Sequence, residues 1–232
     1  MSIRTSLKKV LPPISITEQE ALDAGDVWIE SSIYQGKPDM AALRSLPQGT
    51  LTADEQAFLD GPVVELINMV DDYALSSEDH IPQPVIDFLC KNKFFSMIIP
   101  KKFGGLEFSP YANSTIVATI AVASGAIAVT VMVPNSLGPG ELLMHYGTEE
   151  QQNYWLPRLS VGTDIPCFAL TGPEAGSDAG SIPDAGIVCK GMHNGEEVLG
   201  LRVSWDKRYI TLAPIATVLG LAFKVFDPEQ LL

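Results

Sequence analysis

One stretch of the chain constrains its fold more than any other, because residues 109–140 contain no charged side chain. Its central part, 115–133, is about as long as a bilayer-spanning helix, so a transmembrane segment is one interpretation. The stretch is also rich in Ala, Thr and Ser, is interrupted by Ser124 and Gly125, and lacks flanking Lys or Arg anchors. These features favour the other interpretation, a pair of closely packed, buried helices.

The overall composition is that of an acidic globular protein. The chain has 232 residues, of which 46% are hydrophobic, enough for one large domain or two ordinary ones. Its 28 Asp and Glu residues outnumber its 15 Lys and Arg residues, which gives a formal net charge of -13. A charge of this sign repels nucleic-acid phosphates, so we expect no nucleic-acid partner.

The cysteines and histidines predict neither disulfides nor a metal site. They are Cys90, Cys167, Cys189, His80, His145 and His193. The cysteines are far apart and form no CxxC pair, which indicates buried thiols in a reducing compartment. None of the histidines has metal-ligand spacing.

Helix-start signals dominate residues 52–162, which we interpret as an all-helical domain. Thr52 with Glu55, and Thr148 with Gln151, have the spacing of a capping box. Prolines that fit the first turn of a helix stand at four further points: Pro62, Pro84, Pro110 and Pro139. One face of the second helix is expected to be buried: Val63, Leu66, Ile67 and Val70.

Glycine and proline also predict where chain segments end. Gly61 and Pro62 are expected to break one helix and begin another, and Pro157 to end the last helix of the domain. Residues 1–51 are interrupted by Pro, Gly and Ser, which is typical of an extended arm with short helical pieces.

After Ile165 the pattern changes from helix to strand. Short runs rich in β-branched and aromatic residues, separated by turn residues, predict strands at 167–171, 186–189, 198–203 and 216–225. Helices followed by strands indicate an α+β fold. Residues 163–232 are therefore interpreted as a second, β domain.

The segment most informative about function is FALTGPEAGSD at 168–178. It places Thr171 at a strand end, before a turn in which backbone N–H groups and small hydroxyls can approach a ligand. Taken alone, this pattern is a weak signal, and a polar turn between strands is the simpler explanation.

This segment resembles the YxxTEPxAGSD signature of acyl-CoA dehydrogenases. KRYIT at 207–211 is similar to the K-x-W-I-T strand of that family, and further agreement comes from PKKFGG at 100–105, NSLG at 135–138, and YGTEEQ at 146–151 followed by LPR at 156–158. The resemblance covers roughly residues 55–232 and is nearest to the long bacterial fatty-acid-oxidation enzymes. It implies a helical domain followed by an antiparallel β domain, here incomplete.

The resemblance also implies roles for individual residues around FAD. Those carried over as flavin-binding are Phe168, Leu170, Thr171, Gly176, Ser177, Tyr209 and Thr211. Ser177 is additionally implied in binding the acyl-CoA substrate. Three positions depart from the family: Gly172 replaces Glu, Glu174 replaces Gly, and Tyr209 replaces Trp.

The implied reaction is α,β-dehydrogenation of a fatty acyl-CoA to the trans-2-enoyl-CoA in fatty-acid β-oxidation. The family's catalytic base is a Glu of a C-terminal helical bundle, which is expected beyond Leu232, so the chain alone is expected to be inactive. The resemblance also implies an electron-transfer flavoprotein as electron acceptor and a homo-oligomeric state. The expected location is the cytoplasm, with peripheral association at the inner membrane as an alternative. The competing hypothesis is a non-catalytic helical scaffold that keeps the family fold.

Overall fold

The computed structural model describes residues 16–25, 29–78, 80–136 and 138–232. They pack as two compact units. The larger unit comprises 49–170 and 207–222, and the smaller unit comprises the described part of 1–48 with 171–206 and 223–232. The three-domain division at 51/52 and 162/163 stays a prediction, since these units divide the chain at other points.

Three short helices occupy the described part of the N-terminal arm. They are α1 (Ile16–Ala24), α2 (Glu30–Tyr34) and α3 (Met40–Ser45). The prediction of short helical pieces is confirmed for these residues.

The larger unit is predominantly helical. Its α-helices are α4 (Ala53–Phe58), α5 (Val64–Met69), α6 (Asp72–Leu75), α7 (Gln83–Lys91), α8 (Pro110–Ala123), α9 (Gly125–Met132), α10 (Pro139–Tyr146) and α11 (Glu149–Ser160). Both predicted capping boxes are present, at Thr52 with Glu55 and at Thr148 with Gln151. The helix starts near Pro84, Pro110 and Pro139 are confirmed.

Two predicted helix breaks are wrong. At Gly61 and Pro62 the chain widens into a π-helical turn, Leu59–Val63, that joins α4 to α5 without a stop. Helix α11 continues through Pro157 to Ser160. Leu156 and Leu159, on either side of Pro157, are fully buried. Burial of two leucines, at about 1.5–3 kcal/mol each, outweighs the roughly 3 kcal/mol cost of an interior proline.

The core of the larger unit is built from α4 to α9 and the start of β1. Phe94 lies at its centre with no exposed surface, and its ring centroid is 4.8 Å from that of Phe58. Val63 and Leu66 are fully buried, as the helical pattern predicted.

The uncharged stretch forms α8 and α9, interrupted at Ser124 as predicted. Its burial is one-sided: Ile116 and Ile120 are 1% exposed, whereas Val122 on the other side of α8 is 90% exposed. In the described residues, no helix is both long enough and apolar enough to cross a membrane.

Two small sheets complete the described structure. Strand β1 (Pro166–Ala169) pairs in parallel with β4 (Val218–Leu221) in the larger unit. In the smaller unit β2 (Ala185–His193) pairs antiparallel with β3 (Glu196–Ser204) and parallel with β5 (Lys224–Phe226). The α+β class is confirmed, but the strands, expected to be antiparallel, pair in both directions.

The run predicted as one strand at 216–225 is two strands in different sheets. The backbone changes partner at this point, since Ala222 N donates to Ala169 O at 3.1 Å and Lys224 N donates to Asp184 O at 2.9 Å. Residues 222 and 223 lie between the strands and belong to neither of them.

Candidate functional site

Strand β1 carries the first of the predicted flavin-binding residues, Phe168. Its neighbours Cys167 and Ala169 are each 1% exposed and face the core, whereas Phe168 is half-buried. Phe168 is paired with Gly220, where an added Cβ would lie 3.0 Å from Phe168 Cδ2 and 2.9 Å from Pro139 Cγ. Gly220 therefore gives the Phe168 ring its space, a role that the glycine within a strand pattern could have indicated.

A buried carboxylate fixes the start of β1. Asp164 is 6% exposed and accepts hydrogen bonds from Arg158 Nε at 2.5 Å and from Thr217 Oγ1 at 2.9 Å. Thr217 Oγ1 in turn accepts from Ile165 N at 3.0 Å. The hydrogen bond from Arg158 lowers the pKa of Asp164. Burial of the carboxyl raises this pKa and the hydrogen bond from Thr217 lowers it further, so the net effect is a lower pKa. The network joins the end of α11 to the starts of β1 and β4.

A lysine connects the end of β1 to the second predicted motif. Lys207 Nζ donates to Leu170 O at 2.8 Å, so residues 207–211 begin beside the end of β1. Phe168, Leu170, Tyr209 and Thr211 thus belong to one packed unit.

The strand expected at 207–211 is absent. Residues 205–210 form no regular secondary structure, and 211–215 form a turn. Leu212 anchors this turn: it is 8% exposed, has a φ of 68°, and accepts through its carbonyl from Ile215 N and Ala216 N. Burial of that side chain holds the backbone in a left-handed conformation that a strand does not allow. Tyr209, with a φ of 59°, is 88% exposed.

Thr171, Gly176 and Ser177 lie in the smaller unit, on the segment that follows β1. Gly172 N donates to Ala175 O at 2.9 Å, which closes a tight turn, and Ala175 is 3% exposed. Gly176 and Ser177 are exposed, and an added Cβ at Gly176 would meet nothing within 4 Å. Within the described part of the chain, the hydroxyls of Thr171 and Ser177 donate to no other residue, which leaves them available to a ligand.

The departure from the family at Gly172 has a packing explanation. Gly172 is buried, and a Cβ there would lie 3.2 Å from Asp206 O and 4.0 Å from Asp184 Oδ2. Asp184 is 3% exposed and accepts from Asp206 N at 2.9 Å. A glutamate at 172 would therefore be crowded and would face a second carboxylate. Glu174, the other acidic departure, is exposed to solvent.

The seven predicted flavin-binding residues are thus divided between the two units. Phe168, Leu170, Tyr209 and Thr211 are in the larger unit, and Thr171, Gly176 and Ser177 are in the smaller one. The expectation that Thr171, Ser177 and Thr211 face one cavity stays a prediction.

The three cysteines differ in burial. Cys167 is buried, which raises the pKa of its thiol, and Cys90 and Cys189 are half-buried. All three are free thiols. Over the described ranges, no group of three or more His, Cys, Asp or Glu side chains could hold a metal ion.

Comparison with known proteins identifies the helical part of the chain. Residues 55–163 match the family described as acyl-CoA dehydrogenase, N-terminal domain. Over 134 residues the chain is 36% identical to the caffeyl-CoA reductase-Etf complex subunit CarC of Acetobacterium woodii, an alignment that covers 58% of this chain and 33% of CarC. The chain therefore spans about a third of that relative's length.

Solved structures share the fold. Butyryl-CoA dehydrogenase from Megasphaera elsdenii superposes with a TM-score of 0.63 at 21% identity, covering 75% of this chain and 45% of that one. An FAD complex of PigA superposes with a TM-score of 0.64 at 20% identity, covering 78% and 46%.

Proposed function

We propose that this chain forms part of an FAD-dependent enzyme that oxidises acyl-CoA thioesters, because residues 55–163 match the N-terminal domain of the acyl-CoA dehydrogenase family. The reaction proposed is α,β-dehydrogenation of a fatty acyl-CoA to the trans-2-enoyl-CoA. The cofactor FAD, when bound, supplies the two-electron acceptor for the hydride that leaves the β-carbon.

The observation that carries this proposal is the turn at 171–178. Its closure is made by backbone and by buried Ala175, so the fold itself does not use the exposed Ser177 hydroxyl or the open space at Gly176. Small hydroxyls and bare backbone beside a strand end suit close approach of a flavin ring and a thioester. The residues present therefore fit the cofactor that the family implies.

Each candidate residue has a proposed role in holding the flavin. The backbone and hydroxyls of Thr171, Ser177 and Thr211 supply donors that stabilise negative charge on the reduced ring, while Phe168 and Tyr209 supply apolar surface against it. Ser177 also contacts the acyl-CoA.

The catalytic base is proposed to lie outside residues 1–232, as the resemblance implies. A missing general base commonly removes two to four orders of magnitude in rate. We therefore expect this chain alone to be inactive. Electron transfer to an electron-transfer flavoprotein and assembly into a homo-oligomer are proposed for the whole enzyme, and the first is supported by the name of CarC as a subunit of an Etf complex.

The proposal is tested by FAD titration, monitored by flavin fluorescence, with a variant that blocks the turn. Gly176→Val adds a side chain where the protein has no neighbouring atom, so the fold is retained while the ligand is excluded. We expect FAD affinity to fall at least tenfold, on the order of 1.4 kcal/mol. Gly191→Val is the matched control, because an added Cβ there also meets nothing within 4 Å. Equal FAD affinity in both variants would remove the turn from the site.

Activity is tested with FAD, medium- and long-chain acyl-CoA and an artificial electron acceptor. The 232-residue chain is compared with a product whose reading frame continues beyond Leu232. Turnover by the shorter chain within about tenfold of the longer one would contradict the position of the base, which commonly contributes that much or more. Glu174 would then be the first carboxylate to substitute.

A non-catalytic scaffold is the second candidate. It is favoured by Gly172, whose packing against Asp206 and Asp184 excludes the family's usual glutamate. Absence of flavin binding in both the shorter and the longer product would support the scaffold over the enzyme.

A further inference from the structure

A cavity of about 350 Å³ lies in the larger unit, away from every residue assigned to the flavin or the substrate. It is formed by the end of α5, by α6 and the segment after it, and by α7 and α9. Its floor is apolar: Val85 and Ile127 are 5% and 1% exposed, with Val70 and Leu75 half-buried beside them. This volume is in the range of small-molecule sites.

The rim of the cavity is polar and acidic. It consists of Asp71, Glu78 and His80, all exposed, and none of the residues that line the cavity is Lys or Arg. Asp71 Oδ1 caps α6 by accepting from Ala74 N at 3.0 Å. Within the described chain, the Glu78 carboxylate makes no ion pair or hydrogen bond.

We propose that this cavity binds a small amphiphilic cation, an alkyl- or arylammonium compound. The apolar part lies in the cavity against half-buried Val70 and Leu75, as well as the floor, and removes their exposed surface from water. The ammonium group lies at the rim, where the Glu78 and Asp71 carboxylates accept its hydrogen bonds.

The charge at the rim distinguishes this ligand from other apolar molecules. An alkyl carboxylate of equal length is repelled by Glu78 and Asp71, and by the net charge of -13 on the whole chain. A neutral alcohol gains the contact with the floor but no ionic contact. The expected order of affinity is therefore ammonium, then alcohol, then carboxylate.

The test is isothermal titration of the 232-residue chain with octylammonium, octanol and octanoate, each below its aggregation concentration. We expect saturable binding of one octylammonium. Glu78→Gln should weaken octylammonium about two- to fivefold and leave octanol unchanged, because an exposed ionic contact contributes up to about 1 kcal/mol. Glu65→Gln removes an exposed carboxylate from α5 outside the cavity and should change neither ligand.

A second variant tests the cavity itself. Ala74 lines it with an exposed side chain, so Ala74→Phe fills the space without disturbing a buried residue. This variant should keep its thermal unfolding transition and lose both octylammonium and octanol. Undiminished octylammonium binding by Ala74→Phe, octanoate binding as tight as octylammonium, or no binding at all would overturn the proposal.

Discussion

The capping glutamate Glu55 offers the sharpest test of how this fold is held together. It is 3% exposed, and its two carboxylate oxygens accept from Thr52 N and Ser109 N, each at 2.7 Å. Thr52 caps α4 and Ser109 caps α8, so one carboxylate joins the N-termini of two helices. Substituting Glu55→Gln keeps the shape, removes the charge, and leaves one of the two backbone N–H groups facing an amide NH₂.

The expected loss of stability follows from those two bonds. Hydrogen bonds to a charged group contribute about 1.5–3 kcal/mol each, and an unsatisfied buried donor costs about 1–3 kcal/mol. We therefore expect Glu55→Gln to lower the free energy of unfolding by about 2–3 kcal/mol at neutral pH. Most of this loss comes from the donor that is left without an acceptor.

The loss should depend on pH in a defined direction. Burial raises the pKa of Glu55, but the hydrogen bonds from Ser109 and Thr52 outweigh it and lower the pKa from 4.5 to about 2. A carboxyl whose pKa is lower in the folded state stabilises the fold above its unfolded pKa, and this contribution is lost as pH falls toward the folded pKa. The difference between wild type and Glu55→Gln should therefore be constant above pH 4.5 and shrink between 4.5 and 2.

Urea unfolding followed by far-UV circular dichroism measures this difference at several pH values. Glu65→Gln on α5, which removes an exposed carboxylate, is the control and should change the free energy of unfolding by less than about 0.5 kcal/mol. A Glu55→Gln variant as stable as wild type at pH 7, or a difference that persists unchanged in acid, would refute the reasoning.

Three further substitutions test other parts of the larger unit. Ile120→Asp places an unpaired charge at a position 1% exposed and should destabilise the fold by several kcal/mol, measured as a lower melting temperature. Asp164→Asn removes the ionic partner of Arg158; the free energy of unfolding should fall by about 1–3 kcal/mol at neutral pH, and by less in acid because the pKa of Asp164 is lowered in the fold. Gly162→Ala should lower the urea midpoint of unfolding, since Gly162 has a φ of 71° and an added Cβ would lie 2.6 Å from Cys90 Sγ. Unchanged stability in any of these three variants would contradict the argument for that variant.

Local signals in the sequence predicted most of the helical unit. The capping boxes at Thr52 and Thr148 involve residues three apart, so their geometry is determined within one turn of chain. The second bond of Glu55, to a residue 54 positions later, has no such local signal. The same is true of Asp164 and Thr217, which are 53 positions apart. Long-range partners of polar residues depend on packing that the local pattern does not contain.

The strands were predicted less well because their limits depend on partners. The run 216–225 is mostly apolar, yet its two halves pair with β1 and with β2. Likewise, Pro157 alone predicts a helix end, but the helix continues through it because the leucines on either side are buried.

The candidate site illustrates what a motif conveys and what it omits. The motif at 168–178 identified a turn with an open glycine and exposed Ser177, and these are features that the structure contains. It did not explain why Gly172 stands in place of glutamate, because the reason lies at Asp184 and Asp206, which enclose the position. Asp184 is buried and its Oδ1 accepts from Asp206 N at 2.9 Å, so a fixed carboxylate already lies beside position 172 and a side chain larger than glycine would be crowded against it.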